Sequence, residues 1–133
     1  MKYISEYPEP EGFIYLLSPY SDPSIVVRTV RYVMTRTAVA YITTTGFSVY
    51  SPIVHNHDMA LSHHIDGSSD FWNVLNVPFL KSCSEGWVFM IDGWEASRGI
   101  QWEVDYLKAI GKSVQYVYLD EPQIDLLMVE NDT

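Results

Sequence analysis

Residues 87–103 read WVFMIDGWEASRGIQWE, and this stretch decides the fold because it joins a strand to a helix. Residues 87–91 are continuously apolar, which is typical of a strand buried in a parallel sheet. Ser97 is a favourable N-cap, and the helix that it opens is predicted to extend to about Ile110. A strand followed by a helix is the repeating unit of α/β proteins.

Glu103 lies on this predicted helix, beside its apolar stripe. The stripe consists of Ile100, Val104, Leu107 and Ile110. The residues three and four positions from Glu103 are Gly99, Ile100, Tyr106 and Leu107. None of these neighbours is a cation that would pair with the carboxylate. An unpaired carboxylate that faces the sheet, beside a glycine that leaves space, has what a nucleophile requires.

Further elements are predicted on both sides of this stretch. The other strands cover residues 13–17, 47–50 and 113–118, and the other helices cover about 22–44 and 71–82. Asp22-Pro23 begins the first of these helices and Gly46 ends it, while Ser69 or Asp70 caps the second and Pro78 interrupts it. Residues 53–68 are polar, contain all four histidines and are predicted to form a loop. The order β-α-β-α-β-α-β implies a parallel sheet with helices on both faces.

The predicted domain covers residues 1–133, with peripheral extensions at 1–12 and 120–133. The first extension is rich in Glu and Pro and is predicted to be irregular, and residues 124–129 are predicted to form a short final element. Ligands of parallel α/β sheets bind beyond the carboxyl ends of the strands. That edge collects Ser18-Pro19-Tyr20, Ser51-Pro52 with His55, and Asp92 through Ser97. We therefore predict a single crevice there, with anion-binding N–H groups at Ser97.

Composition argues against several classes of partner. A net charge of −9 disfavours a nucleic-acid polymer, which requires clustered Lys and Arg, but it is compatible with a small anionic ligand. No signal peptide and no apolar run of about 20 residues is present, so no membrane partner is expected. Cys83 is the single cysteine, which excludes an internal disulfide and fits a cytoplasmic protein.

Neither the histidines nor the glycines form a pattern that predicts a cofactor site. The pairs His55 with His57 and His63 with His64 fall short of a zinc site, which needs three or four ligands held together. We expect instead that His55 or His57 lines the crevice and contacts a base or a phosphate. No Walker loop, no Gly-x-Gly-x-x-Gly fingerprint and no Gly-x-Ser-x-Gly elbow is present, and no metal or other cofactor is expected.

The segments YLLSPY (15–20), FSVYSPI (47–53), GWEASRGIQWE (93–103) and GKSV (111–114) occur in this order along the chain. In this register the sequence resembles the nucleoside 2-deoxyribosyltransferase superfamily, in particular a small, largely uncharacterised bacterial and phage branch. The resemblance implies a flavodoxin/Rossmann-like three-layer α/β sandwich with a central, mostly parallel sheet of four to five strands. It also implies cleavage of an N-glycosidic bond.

The resemblance assigns roles to three residues. Glu103 falls on the catalytic glutamate, which attacks C1′ of the sugar, and Tyr15 falls on a tyrosine near that nucleophile. Ser97 matches the serine that helps to hold the 5′-phosphate in the monophosphate hydrolases, whereas the transferases tend to carry an acid there. A (deoxy)nucleoside 5′-monophosphate is therefore the expected substrate. A nucleoside 2-deoxyribosyltransferase is the first alternative.

Further substrate-binding residues are predicted from their place near the crevice. They are Ser18, Pro19, Tyr20, Ser51, His55, His57 and Gly99. Arg28 and Arg98 are expected to steer a phosphate, because the guanidinium fork matches its oxygens. Trp94 either stacks on the base or packs at the edge of the core.

The chain departs from the family pattern at Asn76, where an aspartate usually protonates or orients the leaving base. An amide has no mobile proton, so Asp70 and Asp92 are the predicted substitutes. Asn76 also motivates the second alternative, a nucleotide-binding protein without turnover. The resemblance further implies a homodimer or a higher homo-oligomer in which neighbouring subunits complete each site.

Overall fold

A parallel five-stranded sheet forms the centre of the computed structural model, which describes residues 2–6, 11–65 and 67–119. The strands are β1 (Lys2–Tyr3), β2 (Phe13–Leu17), β3 (Ser48–Tyr50), β4 (Glu85–Phe89) and β5 (Val114–Tyr118), in the order β1-β5-β4-β2-β3. The helices are α1 (Ile25–Thr44), α2 (Pro52–Ser62), α3 (Ser69–Ser82) and α4 (Arg98–Ala109). Every strand pair is parallel.

Two apolar layers hold the helices against the sheet, because alternate side chains of a strand point to opposite faces. Ile14 and Leu16 of β2 pack with α1, whereas Tyr15 and Leu17 pack with α3 and α4. β2 therefore supplies the core on both sides of the sheet, as expected of a buried central strand. The predicted flavodoxin/Rossmann-like three-layer α/β fold is confirmed, with four principal strands and the two-residue β1 at the edge.

The prediction that residues 53–68 form a loop is wrong for residues 53–62, which belong to α2. Ser51 is the N-cap of this helix, and its hydroxyl oxygen accepts the Val54 N–H at 3.1 Å. Pro52 follows at the first helical position, where a missing N–H costs no hydrogen bond. The Ser-Pro pair is therefore a helix start, and the polar residues that follow it form helical surface.

The predicted interruption of α3 at Pro78 is also wrong, since the helix continues to Ser82. Pro78 deprives the Val74 carbonyl of its helical partner, but the Val74 side chain is 70% exposed, so water can reach this side of the helix. Ser68 caps α3, rather than Ser69 or Asp70. Likewise Ser24 caps α1, while the Asp22 side chain accepts the Ser24 N–H in the preceding turn.

The N-terminal segment is more regular than its composition suggests. Lys2–Tyr3 pairs with β5, and Ile4 is buried in the layer that faces α1. The prediction of irregular structure is thus wrong for residues 2–6, and the final element predicted at 124–129 lies outside the described residues. Within the described ranges, no helix is long and apolar enough to span a bilayer.

Candidate active site

A cavity of about 720 Å³ opens at the carboxyl edge of the sheet, where the loops after β2 and β4 meet α2 and α3. Nine predicted site residues line it: Ser18, Tyr20, Arg28, His57, Asn76, Ser97, Arg98, Gly99 and Glu103. They come from segments that are far apart in the sequence. The fold therefore brings together most of the crevice that the sequence indicates.

Glu103 lies on the inner face of α4, with only 6% of its surface exposed. The Tyr15 hydroxyl donates a hydrogen bond to its Oε2 atom. Burial raises the pKa of Glu103 to about 7, although the Tyr15 hydrogen bond acts in the opposite direction. This carboxyl therefore changes its charge near neutral pH, and it borders the cavity.

Two phenols surround the carboxylate from the sheet side. Tyr15 is fully buried in β2, and its pKa is raised by burial and by the negative charge of Glu103, so Tyr15 remains a hydrogen-bond donor. The Tyr50 ring stacks on Phe79 at 3.9 Å between centroids, and burial followed by the charge of Glu103 raises its pKa. Protonated phenols thus lie behind the carboxylate, and neither tyrosine belongs to the cavity lining itself.

The start of α4 forms one wall of the cavity. Ser97 caps the helix as predicted, and its hydroxyl oxygen accepts the Ile100 N–H at 3.2 Å. The first N–H groups of a helix have no partner within the helix, and here they belong to Arg98 and Gly99, which border the cavity. A Cβ added to Gly99 would contact only the Ser97 Oγ atom, at 3.9 Å, so there is room for a ligand against this turn.

A hydrogen-bonded pair, Tyr20 and His57, lines the opposite wall. The Tyr20 hydroxyl lies 2.6 Å from His57 Nδ1, and the His57 ring stacks on Tyr32 at 4.0 Å. Arg28 lies beside Tyr20 and donates to the Asp22 carbonyl. His57 is 5% exposed, and burial lowers its pKa. Both members of the pair were predicted site residues, but their pairing and the stacking on Tyr32 were not predicted.

Arg31 connects two loops of the site and was not predicted to do so. Its guanidinium donates to the carbonyls of Tyr20 and Ser21, at 3.4 and 3.0 Å. It also lies against Gly93, where any Cβ would collide with it. Gly93 has a φ of +94°, which glycine adopts without strain, and it precedes the 3₁₀ turn that leads to Ser97. The Arg31 side chain therefore contacts both the loop that contains Tyr20 and the turn that precedes Ser97.

α3 contributes polar residues in addition to Asn76. Asn76 is 7% exposed and lines the cavity, as do Trp72 and Asn73, which were not predicted. Residues 72, 73 and 76 share one face of an uninterrupted helix, because positions three and four apart are neighbours. Their spacing was a usable signal, because all three residues precede Pro78 in the helix that the sequence predicts over 71–82.

Other predicted site residues lie outside the cavity lining. Asp70 is exposed on the first turn of α3, and Asp92 is exposed after β4, so neither is placed beside Glu103 to replace the missing acid. His55 is exposed, with its ring 5.8 Å from that of Tyr50. Trp94 packs beside Tyr116 in the layer that faces α4, which is the edge-packing alternative.

Two further predicted residues shape the rim of the cavity through the backbone. Ser51 is buried as the N-cap of α2, next to the lining residue Pro52. Pro19 is buried in the turn between the lining residues Ser18 and Tyr20. In the described part of the chain, no group of three or more His, Cys, Asp or Glu side chains is arranged to hold a metal ion.

Comparison with known families places the chain in one of them. The sequence matches DUF1937, a domain of unknown function, over residues 12–119. No curated protein matches the chain. An uncharacterised domain offers no activity for comparison, so the relation to the nucleoside 2-deoxyribosyltransferase superfamily stays a prediction. Because the match covers most of the sequence, including Tyr15 and Glu103, the protein belongs to the DUF1937 family.

Proposed function

We propose that the protein cleaves the N-glycosidic bond of a (deoxy)nucleoside 5′-monophosphate, with Glu103 as the nucleophile. The observation that carries this proposal is the buried Glu103 carboxyl at the cavity, which accepts a hydrogen bond from Tyr15. A buried carboxylate is costly to maintain, and such costs are concentrated at functional sites. An ordinary helix glutamate would face solvent.

Glu103 and Tyr15 have different roles in the first step. The Glu103 carboxylate attacks C1′ of the sugar, which forms a glycosyl ester and breaks the bond to the base. Tyr15 donates to Oε2 of the carboxylate and so restrains Glu103 where it borders the cavity. Water then attacks C1′ and releases Glu103, as in retaining glycosidases. A pKa of about 7 leaves a substantial ionised fraction at neutral pH.

The start of α4 is the proposed phosphate site. The Arg98 and Gly99 N–H groups and the Ser97 hydroxyl lie at a helix N-terminus, where the helix dipole favours an anion. The Arg98 side chain adds a positive charge at the same rim. Glu103 lies further along the same helix, so a 5′-phosphate bound at the first turn places the sugar near the carboxylate.

Asn76 favours a second candidate, a nucleotide-binding protein without turnover. Asn76 lines the cavity and is buried, but its amide cannot transfer a proton to a leaving base. A binder predicts saturable binding of a 5′-monophosphate without release of the base.

The test is base release from a panel of purine and pyrimidine 5′-monophosphates. Wild type is compared with Glu103→Gln, and with Asp105→Asn as a matched control on the exposed side of the same helix. We expect release by wild type and the control, and loss in Glu103→Gln by a factor of about 1,000 or more. A 2-fluorinated nucleotide should trap the glycosyl ester on Glu103, as detected by peptide mass spectrometry. Equal rates in wild type and Glu103→Gln would refute the assignment.

A further inference from the structure

Cleavage of a nucleotide leaves a basic nitrogen on the departing base, and this nitrogen needs a proton. Among the described residues that line the cavity, two carry a carboxyl, Glu103 and Asp22. Glu103 has the role of nucleophile, and Asp22 Oδ1 accepts the Ser24 N–H at 2.9 Å in the turn before α1. Asn76 lines the cavity but has no proton to give. Within the described lining, His57 is a buried titratable group that is also hydrogen-bonded to a second proton carrier, Tyr20.

The hydrogen-bond partner of His57 is the basis on which we assign its tautomer. Burial raises the pKa of Tyr20, which keeps its hydroxyl protonated, and we assign this hydroxyl as the donor to His57 Nδ1 across 2.6 Å. Burial also lowers the pKa of His57, so its ring is neutral and holds a single hydrogen, which must then be on Nε2. The stacked ring of Tyr32 fixes the imidazole plane.

The sheet order places this pair opposite the proposed phosphate site. α4 begins after β4 and α2 begins after β3, while β2 lies between these strands. Two strand spacings, roughly 10 Å, therefore separate the start of α4 from the start of α2. A nucleotide with its phosphate at Ser97 and its sugar beside Glu103 directs its base toward His57.

We propose that His57 is the acid that protonates the leaving base, and that Tyr20 and Arg28 are its positioning residues; this inference rests on the proposed function. As the C1′–N bond breaks, its electron pair goes to the base nitrogen, which takes the proton from His57 Nε2. Nδ1 takes the Tyr20 proton, and the phenolate is stabilised by the Arg28 guanidinium beside it. When water hydrolyses the glycosyl ester, its proton returns to Tyr20 through His57.

The experiment compares two leaving groups on the same sugar phosphate. One substrate is the nucleotide that wild type cleaves fastest. The other is its activated counterpart, whose base leaves without a proton: an N7-methylated purine or a 5-nitropyrimidine nucleotide. We expect His57→Gln to lose a factor of about 100 or more on the ordinary nucleotide and to recover to within about tenfold of wild type on the activated one.

Tyr20→Phe keeps the ring of Tyr20 and removes only its hydroxyl, so it tests the relay if His57→Gln does not fold. We expect it to lose a factor of about 100 on the ordinary nucleotide alone, because the variant lacks the proton that Nδ1 takes up. His63→Gln, at the exposed end of α2, should match wild type on both substrates. Glu103→Gln should lose both activities, because every route passes through the nucleophile.

The outcomes separate this inference from the proposed function. Suppose that wild type releases the base and that this activity depends on Glu103. If His57→Gln and Tyr20→Phe then lower the rates on the ordinary and the activated nucleotide by the same factor, His57 is not the acid. If wild type cleaves neither substrate, the proposed function fails and the relay fails with it. Selective recovery on the activated nucleotide supports both.

Discussion

Replacement of Glu103 by Gln should stabilise the folded protein, and the gain should grow with pH. The pKa of Glu103 rises from an ordinary value of 4.5 to about 7 on folding, because burial disfavours its charge. A raised carboxyl pKa means that the folded state binds the proton more tightly than the unfolded state. The contribution of Glu103 to the free energy of unfolding therefore falls as the pH rises from 4.5 to 7, and it levels off above that value.

The size of the effect follows from this interval. Each pH unit between the two pKa values removes about 1.4 kcal/mol, so the total approaches about 3 kcal/mol. Gln has nearly the same shape, keeps an oxygen that accepts the Tyr15 hydrogen bond and never ionises. Wild type and Glu103→Gln should thus be almost equally stable near pH 4.5, and the variant should be more stable by about 3 kcal/mol at pH 8.

Urea unfolding between pH 4.5 and 9, followed by circular dichroism, measures this difference directly. Asp105→Asn is the matched control, because Asp105 is an exposed carboxylate on the same helix. A plot of its free energy of unfolding against pH should run parallel to the plot for wild type. Parallel curves for wild type and Glu103→Gln over the whole range would show that the buried carboxyl carries no raised pKa. The proposal that Glu103 is the nucleophile would then lose its physical basis.

Three further substitutions probe the surroundings of this carboxyl. Tyr15→Phe removes a hydrogen bond that favours the ionised form, so the acidic limb of the pH–rate profile for base release should move up by about one to two pH units. Ser97→Ala should lower the free energy of unfolding in urea by about 1 kcal/mol. Calorimetry should show that the substitution lowers the affinity for a 5′-monophosphate more than the affinity for the matching nucleoside. Gly93→Ala should lower the melting temperature more than Gly111→Ala. Both glycines have positive φ, but only at position 93 does the new Cβ meet Arg31.

The order of elements was predictable wherever one local signal dominated. Continuous apolar runs marked β2 and β4, and Ser97 with the apolar stripe of α4 placed Glu103 on the inner face. These features depend on side-chain periodicity, which the sequence states directly. The convergence of segments at the carboxyl edge then followed from the parallel topology.

The errors arose where two signals competed. Ser51-Pro52 opens a helix, but the polar composition after it suggested a loop, and Pro78 suggested a break that an exposed helix face tolerates. Side-chain partnerships were further out of reach, because they depend on distances between separate elements. The Tyr20–His57 hydrogen bond and the Arg31 contacts are of this kind, and no periodicity within one element indicates them.

The pairing of β1 with β5 has a consequence for the order in which the protein folds. Lys2 aligns with Val117, so this ladder joins residues that are separated by nearly the whole described chain. Contacts of large sequence separation close slowly, and during synthesis they must wait for the later partner to emerge. None of the described lining residues belongs to β1 or β5, and the elements that surround the cavity are complete by the end of α4 at Ala109. The residues that line the cavity therefore take no direct part in this long-range ladder, which we expect to be among the last contacts to form.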